Sequence, residues 1–329
     1  MRIGKVPENV LKRSVLKQIQ YHKPEIKLGA GIGRDCAFFA SENPGLTVFT
    51  ANPVTLPVKQ AAAMAVTECV NDMAAAGAEP LAVELTVLLP ADTEEIVLRE
   101  LMEQAAETAK ELQVEIAGGH TEVTTAVNTP VIVASGVGRC INEKTELAGE
   151  KLVPGLDLIV TKWIGMEGTV LLEEEKRDIL AERFPESFLR NARALKQQLS
   201  VVPEAAVAVN AQVCAMHNLS RGGILGALWE MAERGHTGIE VDLKKIPIKQ
   251  ETVEICELLE CNPYQVLSGG AMLIAAPNGN SLVAELEKQN IPAVIIGHTV
   301  QGNDRTVIND DEKSFLNLPQ VDELLKIFS

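Results

Sequence analysis

The stretch PVKQAAAMAVTECVNDMAAAGAEP, residues 57–80, decides how the first half of the chain is read. Proline at its start, alanine throughout and an apolar stripe through Ala62, Ala65, Cys69, Met73 and Ala76 predict a helix from Pro57 to Ala76. Gly77 closes it. Asn71 and Asp72 stand near its C-terminal end, where an acid opposes the helix macrodipole. Glu68 lies one turn before Asp72 on the same face, so two like charges are neighbours. Each effect costs about 0.3 kcal/mol, which a solvated face absorbs and a cation on Asp72 would turn to use.

Upstream lies Leu28-Gly29-Ala30-Gly31-Ile32-Gly33-Arg34-Asp35-Cys36-Ala37. Glycine removes the Cβ, so backbone N–H groups can approach a phosphate closely. Asp35 offers a hard oxygen to a cation that neutralises it. A tight turn before a strand is the other reading. Short strands follow at Ala37–Phe39 and Leu46–Thr50, the second ending in the loop Ala51-Asn52-Pro53. Before them, Val10, Leu11, Val15, Leu16 and Ile19 predict an amphipathic helix over residues 7–21.

Downstream, Leu81–Leu89 reads as a strand. Asp92 with Glu95 resembles a capping box opening a helix. The strand Val114–Ala117 then runs into a glycine turn, Gly118-Gly119-His120-Thr121-Glu122, and Val131–Val137 is another strand. This alternation predicts an α/β or α+β layer with site residues on loops. Residues 148–157 carry the Gly/Pro punctuation of a domain boundary. Beyond them come a strand at Leu158–Thr161, a glycine-spaced turn at Gly165–Gly168 and charged helices over 173–199. The run Cys214 to Gly223, CAMHNLSRGG, opens the apolar helix Ile224–Met231, whose N-terminus can receive an anion. Further strands are predicted at Ile239–Val241, Met272–Ala276 and Ala293–Ile296.

With 329 residues the chain has room for two domains. A net charge of −15 excludes a general nucleic-acid surface or an anionic membrane as partner. Six scattered cysteines without a CxxC pair read as reduced thiols. No signal peptide or membrane-length apolar run is seen, so a soluble cytoplasmic protein is expected. There is no GxSxG elbow, no GxGxxG between strand and helix, and no Walker lysine. Cys214 and His217 have the spacing of half a zinc site, with no matching second pair.

The motifs GIGRDCA (31–37), VNDMAAAGAEP (70–80), GGHTE (118–122), GMEG (165–168) and HNLSRGG (217–223), in this order, resemble those of the PurM-like (AIR synthase related) superfamily. The resemblance spans nearly the whole chain and is nearest to the hydrogenase maturation factor HypE branch. It implies a two-domain α/β (α+β) fold. Residues 1–149 would form a ferredoxin-like domain that pairs with a second copy into a β-barrel, giving a homodimer, and residues 150–329 an α/β domain. ATP would lie between the domains with magnesium, acting on a small-molecule substrate. The resemblance assigns Asp35 and Asp72 as catalytic residues and principal cation ligands, with Asn52 and Asn218 as neutral helpers. Gly29, Gly31, Gly33, Gly118 and Gly119 would shape the phosphate site. Arg34, Asn71, His120, Thr121, Glu122 and Arg221 complete the nucleotide set.

Several positions depart from the family pattern. Arg34, Asn52, His120 and Asn218 stand where acids are common, and the chain ends in Ser329 where HypE ends in a cysteine. Two functions therefore remain open: ATP-dependent phosphoryl transfer or activation of a small molecule, and a paralogue without turnover that serves as nucleotide sensor or assembly partner.

Overall fold

A computed structural model describes residues 8–14, 16, 26–34, 36–40, 46–140 and 152–328. The first half contains α1 (Glu8–Ser14), β1 (Ile26–Leu28), β2 (Ala37–Ala40), β3 (Leu46–Val54), α2 (Ala61–Ala75), β4 (Glu79–Pro90), α3 (Glu95–Glu111), β5 (Glu115–Thr124) and β6 (Val131–Cys140). Its strands form a six-stranded sheet in the order β1-β2-β3-β6-β4-β5. All neighbours are antiparallel except the parallel pair β4 and β5.

The second half contains β7 (Asp157–Thr161), α4 (Met166–Glu175), α5 (Arg177–Arg183), α6 (Glu186–Ala194), α7 (Val202–Asn210), β8 (Ala215–Asn218), α8 (Gly223–Gly235), β9 (Gly238–Asp242) and α9 (Gln250–Leu258). It continues through β10 (Met272–Ala276), α10 (Gly279–Lys288), β11 (Ala293–Val300), β12 (Arg305–Asn309), β13 (Glu312–Phe315) and α11 (Leu324–Phe328). Its seven-stranded sheet runs β13-β12-β9-β11-β7-β10-β8. Leu158 and Val160 on one face of β7 pack with α8, while Ile159 on the other packs with α7 and α10. Burial on both faces explains the unbroken apolar runs of β7 and β10. The fold is the expected mixed α/β arrangement with two sheets.

All fifteen residues of α2 are buried. A helix apolar on every side must be covered on every side, and the alanines let neighbours come close. On the sheet side, a Cβ on Gly136 of β6 would lie 2.6 Å from both Cys69 and Met73 of α2. On the other side, Ala74 and Ala75 share a core with Val201, Ala205 and Ala208 at and within α7. The sequence stripe therefore marked only part of what α2 buries, and of the two readings of Glu68 and Asp72 the solvated face does not hold, since both are buried.

Several boundaries differ from the sequence reading. The helix starts at Ala61, not Pro57, because residues 59 and 60 are held by α4: Lys59 N donates to Glu175 Oε1 (2.6 Å) and Gln60 Nε2 to Glu174 Oε1 (3.1 Å). β3 continues through Asn52 and Pro53 to Val54, paired with β6. The pairing of β2 to β3 spans only Leu46–Phe49, so Pro53 sits where β3 is an edge and no donor is required of it. Gly118–Glu122 is likewise strand, not turn, because β5 pairs with β4 along its length. The capping box is absent: Glu94 is the N-cap of α3 and makes no side-chain cap bond. β12 and β13 were not anticipated. The predicted helix over 7–21 is described for Glu8–Ser14, and the boundary at 148–151 lies outside the described residues.

Candidate functional site

The all-buried α2 carries Asp72 into the seam between the two sheets. Asp72 is 7% exposed. Asn52 of β3 points to the same side of its sheet, since its register partner Ala134 is fully buried, and its Nδ2 donates to Asp72 Oδ2 at 2.7 Å. From the other half, Asn218 at the end of β8 donates through Nδ2 to Asp72 Oδ1 at 2.9 Å. Cys36 Sγ donates to the Asp72 carbonyl at 3.4 Å. Asn52 and Asn218, far apart in sequence, thus meet at one carboxylate.

Arg221 lies beyond β8 in the turn that opens α8. Its Nη2 donates to the Pro53 carbonyl (2.7 Å) and to Glu68 Oε2 (3.3 Å), bridging both halves. At the N-terminus of α8, Gly222 and Gly223 have φ of +87° and +61°, a left-handed conformation that favours glycine. The anion anticipated at that helix end is a side chain of the chain itself: Gly222 N donates to Asp322 Oδ2 at 2.8 Å.

Two of the surrounding carboxyls were missed by sequence reasoning. Glu167, within the GMEG motif, is 2% exposed, its Oε2 has no hydrogen-bond partner among the described residues, and a Cβ on Gly269 would lie 1.9 Å from that oxygen. Burial, and then the neighbouring Glu68, push its carboxyl well above the ordinary range. Asp322 is 6% exposed, and burial raises its pKa against the pull of backbone N–H donors. The only cue for Glu167 was an acid inside a glycine-spaced turn. Asp322 had no local cue, because its partner is 100 residues away.

The glycine loop docks on the second half. A Cβ on Gly33 (φ +64°) would lie 2.8 Å from the Glu230 carbonyl of α8, and Arg234 Nη1 donates to the Gly33 carbonyl at 2.9 Å. Arg34 folds back over its own loop, with Nη1 donating to Gly29 O at 3.2 Å, and its side chain fills the space above Gly31. Asp35 lies outside the described residues.

Asn71 serves the seam in another way. Its Nδ2 donates to Leu199 O (2.7 Å) and its Oδ1 accepts from Val201 N (2.9 Å), so both ends of the amide hold the segment before α7. Lys162 supports the same segment, donating from Nζ to the carbonyls of Gln198 and Ser200 at 2.7 Å each. His217 Nε2 lies 3.1 Å from Glu230 Oε2. Among the described residues no three His, Cys, Asp or Glu side chains are grouped to hold a metal ion.

The GGHTE residues are elsewhere. The register runs Pro53–Val133–Thr86–His120 across β3, β6, β4 and β5, which places His120 three strands from Pro53, about 14 Å. His120 and Glu122 project to the sheet face opposite α2, while Thr121 faces the helix side beside Val87. His120 Nε2 lies 3.1 Å from Glu122 Oε2 in the open, with side chains 64% and 53% exposed. Gly119 (φ +146°) brings β5 so close to β4 that a Cβ would meet Leu85 O at 2.0 Å. Within one chain the seam therefore gathers Asn52, Asp72, Asn218 and Arg221, and does not gather His120 or Glu122.

Residues 33–140 match the family described as AIR synthase related protein, N-terminal domain, and residues 153–309 match AIR synthase related protein, C-terminal domain. The chain is similar to the carbamoyl dehydratase HypE of Rhodobacter capsulatus, 28% identical over 258 residues, 77% of this chain and 73% of the relative. Its fold is similar to that of a hydrogenase maturation protein HypE solved in complex with ATP (TM-score 0.68, 17% identity, 95% of each chain). It is also similar to that of AaThiL solved with AMPPCP and TMP (TM-score 0.71, 19% identity, 95% of this chain and 96% of the other). Among the described residues no helix is long and apolar enough to cross a membrane.

Proposed function

The chain belongs to the AIR synthase related family, and on that premise we propose that it binds ATP at the seam between its two halves and acts on a small molecule by phosphoryl transfer or ATP-dependent activation. The observation that carries this reading is the convergence of Asn52 and Asn218, one from each half, on the buried Asp72, with Arg221 bridging the two halves through Pro53 and Glu68. Support comes from the HypE and AaThiL structures of like fold, solved in complex with ATP and with AMPPCP respectively.

ATP, when bound, supplies an electrophilic γ-phosphoryl group, and transfer of such a group asks mainly for positioning and charge neutralisation. The backbone of Gly29–Gly33, docked on α8, would present N–H groups to phosphate. Arg221 would give positive charge, and Asp72 would orient the amides of Asn52 and Asn218. Magnesium, expected beside Asp72, is assigned no step, because both oxygens of that carboxylate are already committed to amide donors. By family resemblance, Asp35, Asn71, Thr121 and Glu122 would complete the nucleotide site. The division at residues 149/150, a cytoplasmic location and a homodimer are part of the same proposal. A second copy would cover the sheet face that carries Phe49 (49% exposed) and His120.

Calorimetric titration with ATP tests the reading, which predicts saturable binding that Arg221→Met weakens. No heat of binding at millimolar ATP refutes it. The committed amides around Asp72 favour the second reading, a nucleotide sensor or assembly partner. Binding without ATP hydrolysis by the wild type supports that reading, whereas turnover abolished by Asp72→Ala supports the enzyme.

A further inference from the structure

A carboxylate that ligates a divalent cation turns lone pairs toward it, and neighbours sharing that cation turn oxygens toward it as well. The seam has the opposite polarity. Asn52 and Asn218 turn N–H hydrogens onto Asp72, one to each oxygen, at 2.7 and 2.9 Å. Reversing either amide would set oxygen against oxygen at hydrogen-bond distance, which only a cation between them or a proton on Asp72 would relieve. Asn218 Oδ1 is buried without a hydrogen-bond partner among the described residues. It is at the far side of its amide from Asp72, so the two cannot share an ion while the amide donates.

Of the remaining acids, Glu68 and Asp322 are met from within the chain, while the buried Glu167 Oε2 has no hydrogen-bond partner among the described residues. Glu68 receives Arg221 at 3.3 Å, and the same guanidinium holds the Pro53 carbonyl of β3. Asp322 receives Gly222 N and Leu324 N, at 2.8 and 2.9 Å. Glu68, Asp72, Glu167 and Asp322 are each at most 7% exposed, and four negative charges at that burial would not be sustained without compensation. We infer that Asn52, Asn218 and Arg221 stand in place of a protein-bound divalent cation, so that Asp72 is a positioning carboxylate of the interdomain seam and no metal ligand. The two asparagines are then the residues that set the cation preference of the site.

Manganese(II) alone, without nucleotide, is the probe, because its free form gives a sharp electron paramagnetic resonance spectrum that binding broadens. The wild type is expected to leave Mn²⁺ free. The Asn52→Asp/Asn218→Asp variant is expected to bind one ion at least about tenfold more tightly, a free-energy gain of about 1.4 kcal/mol. Adding Asp72→Asn should abolish that gain. Should the double variant fold only with the ion, Asn218→Asp alone, melted with and without Mn²⁺, gives the same reading as an ion-dependent rise in melting temperature. A wild type that binds one Mn²⁺, lost in Asp72→Asn, overturns the inference, as does an acid variant whose affinity and melting do not respond to the ion. Since no nucleotide is present, neither result bears on the ATP titration.

Discussion

Lys162→Met should loosen the seam without touching the candidate site directly. Lys162 is 7% exposed with a left-handed backbone (φ +51°). Its Nζ lies 2.6 Å from Glu204 Oε1 and donates to the carbonyls of Gln198 and Ser200. These carbonyls belong to the segment that binds both ends of Asn71, next to Asp72. Removing the ammonium leaves Glu204, 1% exposed, as an uncompensated buried acid, at a cost of about 3–5 kcal/mol. For a domain of this size about 3 kcal/mol corresponds to roughly 6–12 °C in melting temperature.

The loss should also depend on pH. Burial raises the Glu204 pKa and Lys162 lowers it, so without the lysine the folded-state value climbs further. A folded pKa above the unfolded one gives stability that is full below the unfolded value, near pH 4.3, and drains away as pH rises toward the folded value. The deficit should therefore be smaller at pH 5 than at pH 8, with a limiting slope of about 1.4 kcal/mol per pH unit. Thermal melting at both pH values is the assay, with Lys162→Met/Glu204→Leu expected to recover much of the loss. A shift under about 2 °C, against the several degrees expected, or a deficit that is the same at both pH values, refutes the argument.

Glu167→Gln should match the wild type near pH 5 and become progressively more stable than it toward pH 8, because the raised Glu167 pKa costs the wild type stability as pH rises; a constant difference across that range would count against it. Gly119→Ala forces a Cβ to within 2.0 Å of Leu85 O at a positive φ, so it should cost about 2–4 kcal/mol and expose β5 amides to hydrogen exchange, and wild-type melting would contradict this. Phe49→Glu places a charge on the open sheet face and should convert a dimer to a monomer in sedimentation, while an unchanged sedimentation coefficient would remove that face as the interface.

Much of the fold was legible because local pattern and tertiary packing agree. The alanine-rich helix holding Asp72, the two-sided apolar strands β7 and β10, and the mixed layers all follow from periodicity. Glycine and proline misled where neighbours overrule them: Asn52-Pro53 and Gly118-Gly119 read as turns, yet pairing to β6 and β4 keeps both extended. The site was half legible. Asn52, Asp72, Asn218 and Arg221 were singled out and meet, but sequence could not tell which face of β5 carries His120, since a one-residue register change reverses it. Nor could it show that Glu68 and Glu167 would be buried beside Asp72, because that depends on the second half closing over α2.

Hydrogen–deuterium exchange with and without saturating ATP tests the seam most directly. Protection should concentrate in peptides covering residues 29–34, 51–54 and 217–223, that is, the glycine loop docked on α8 and the end of β3 held by Arg221 of the turn into α8. Unchanged exchange in all three, or protection confined to other surfaces, would contradict nucleotide binding at this seam.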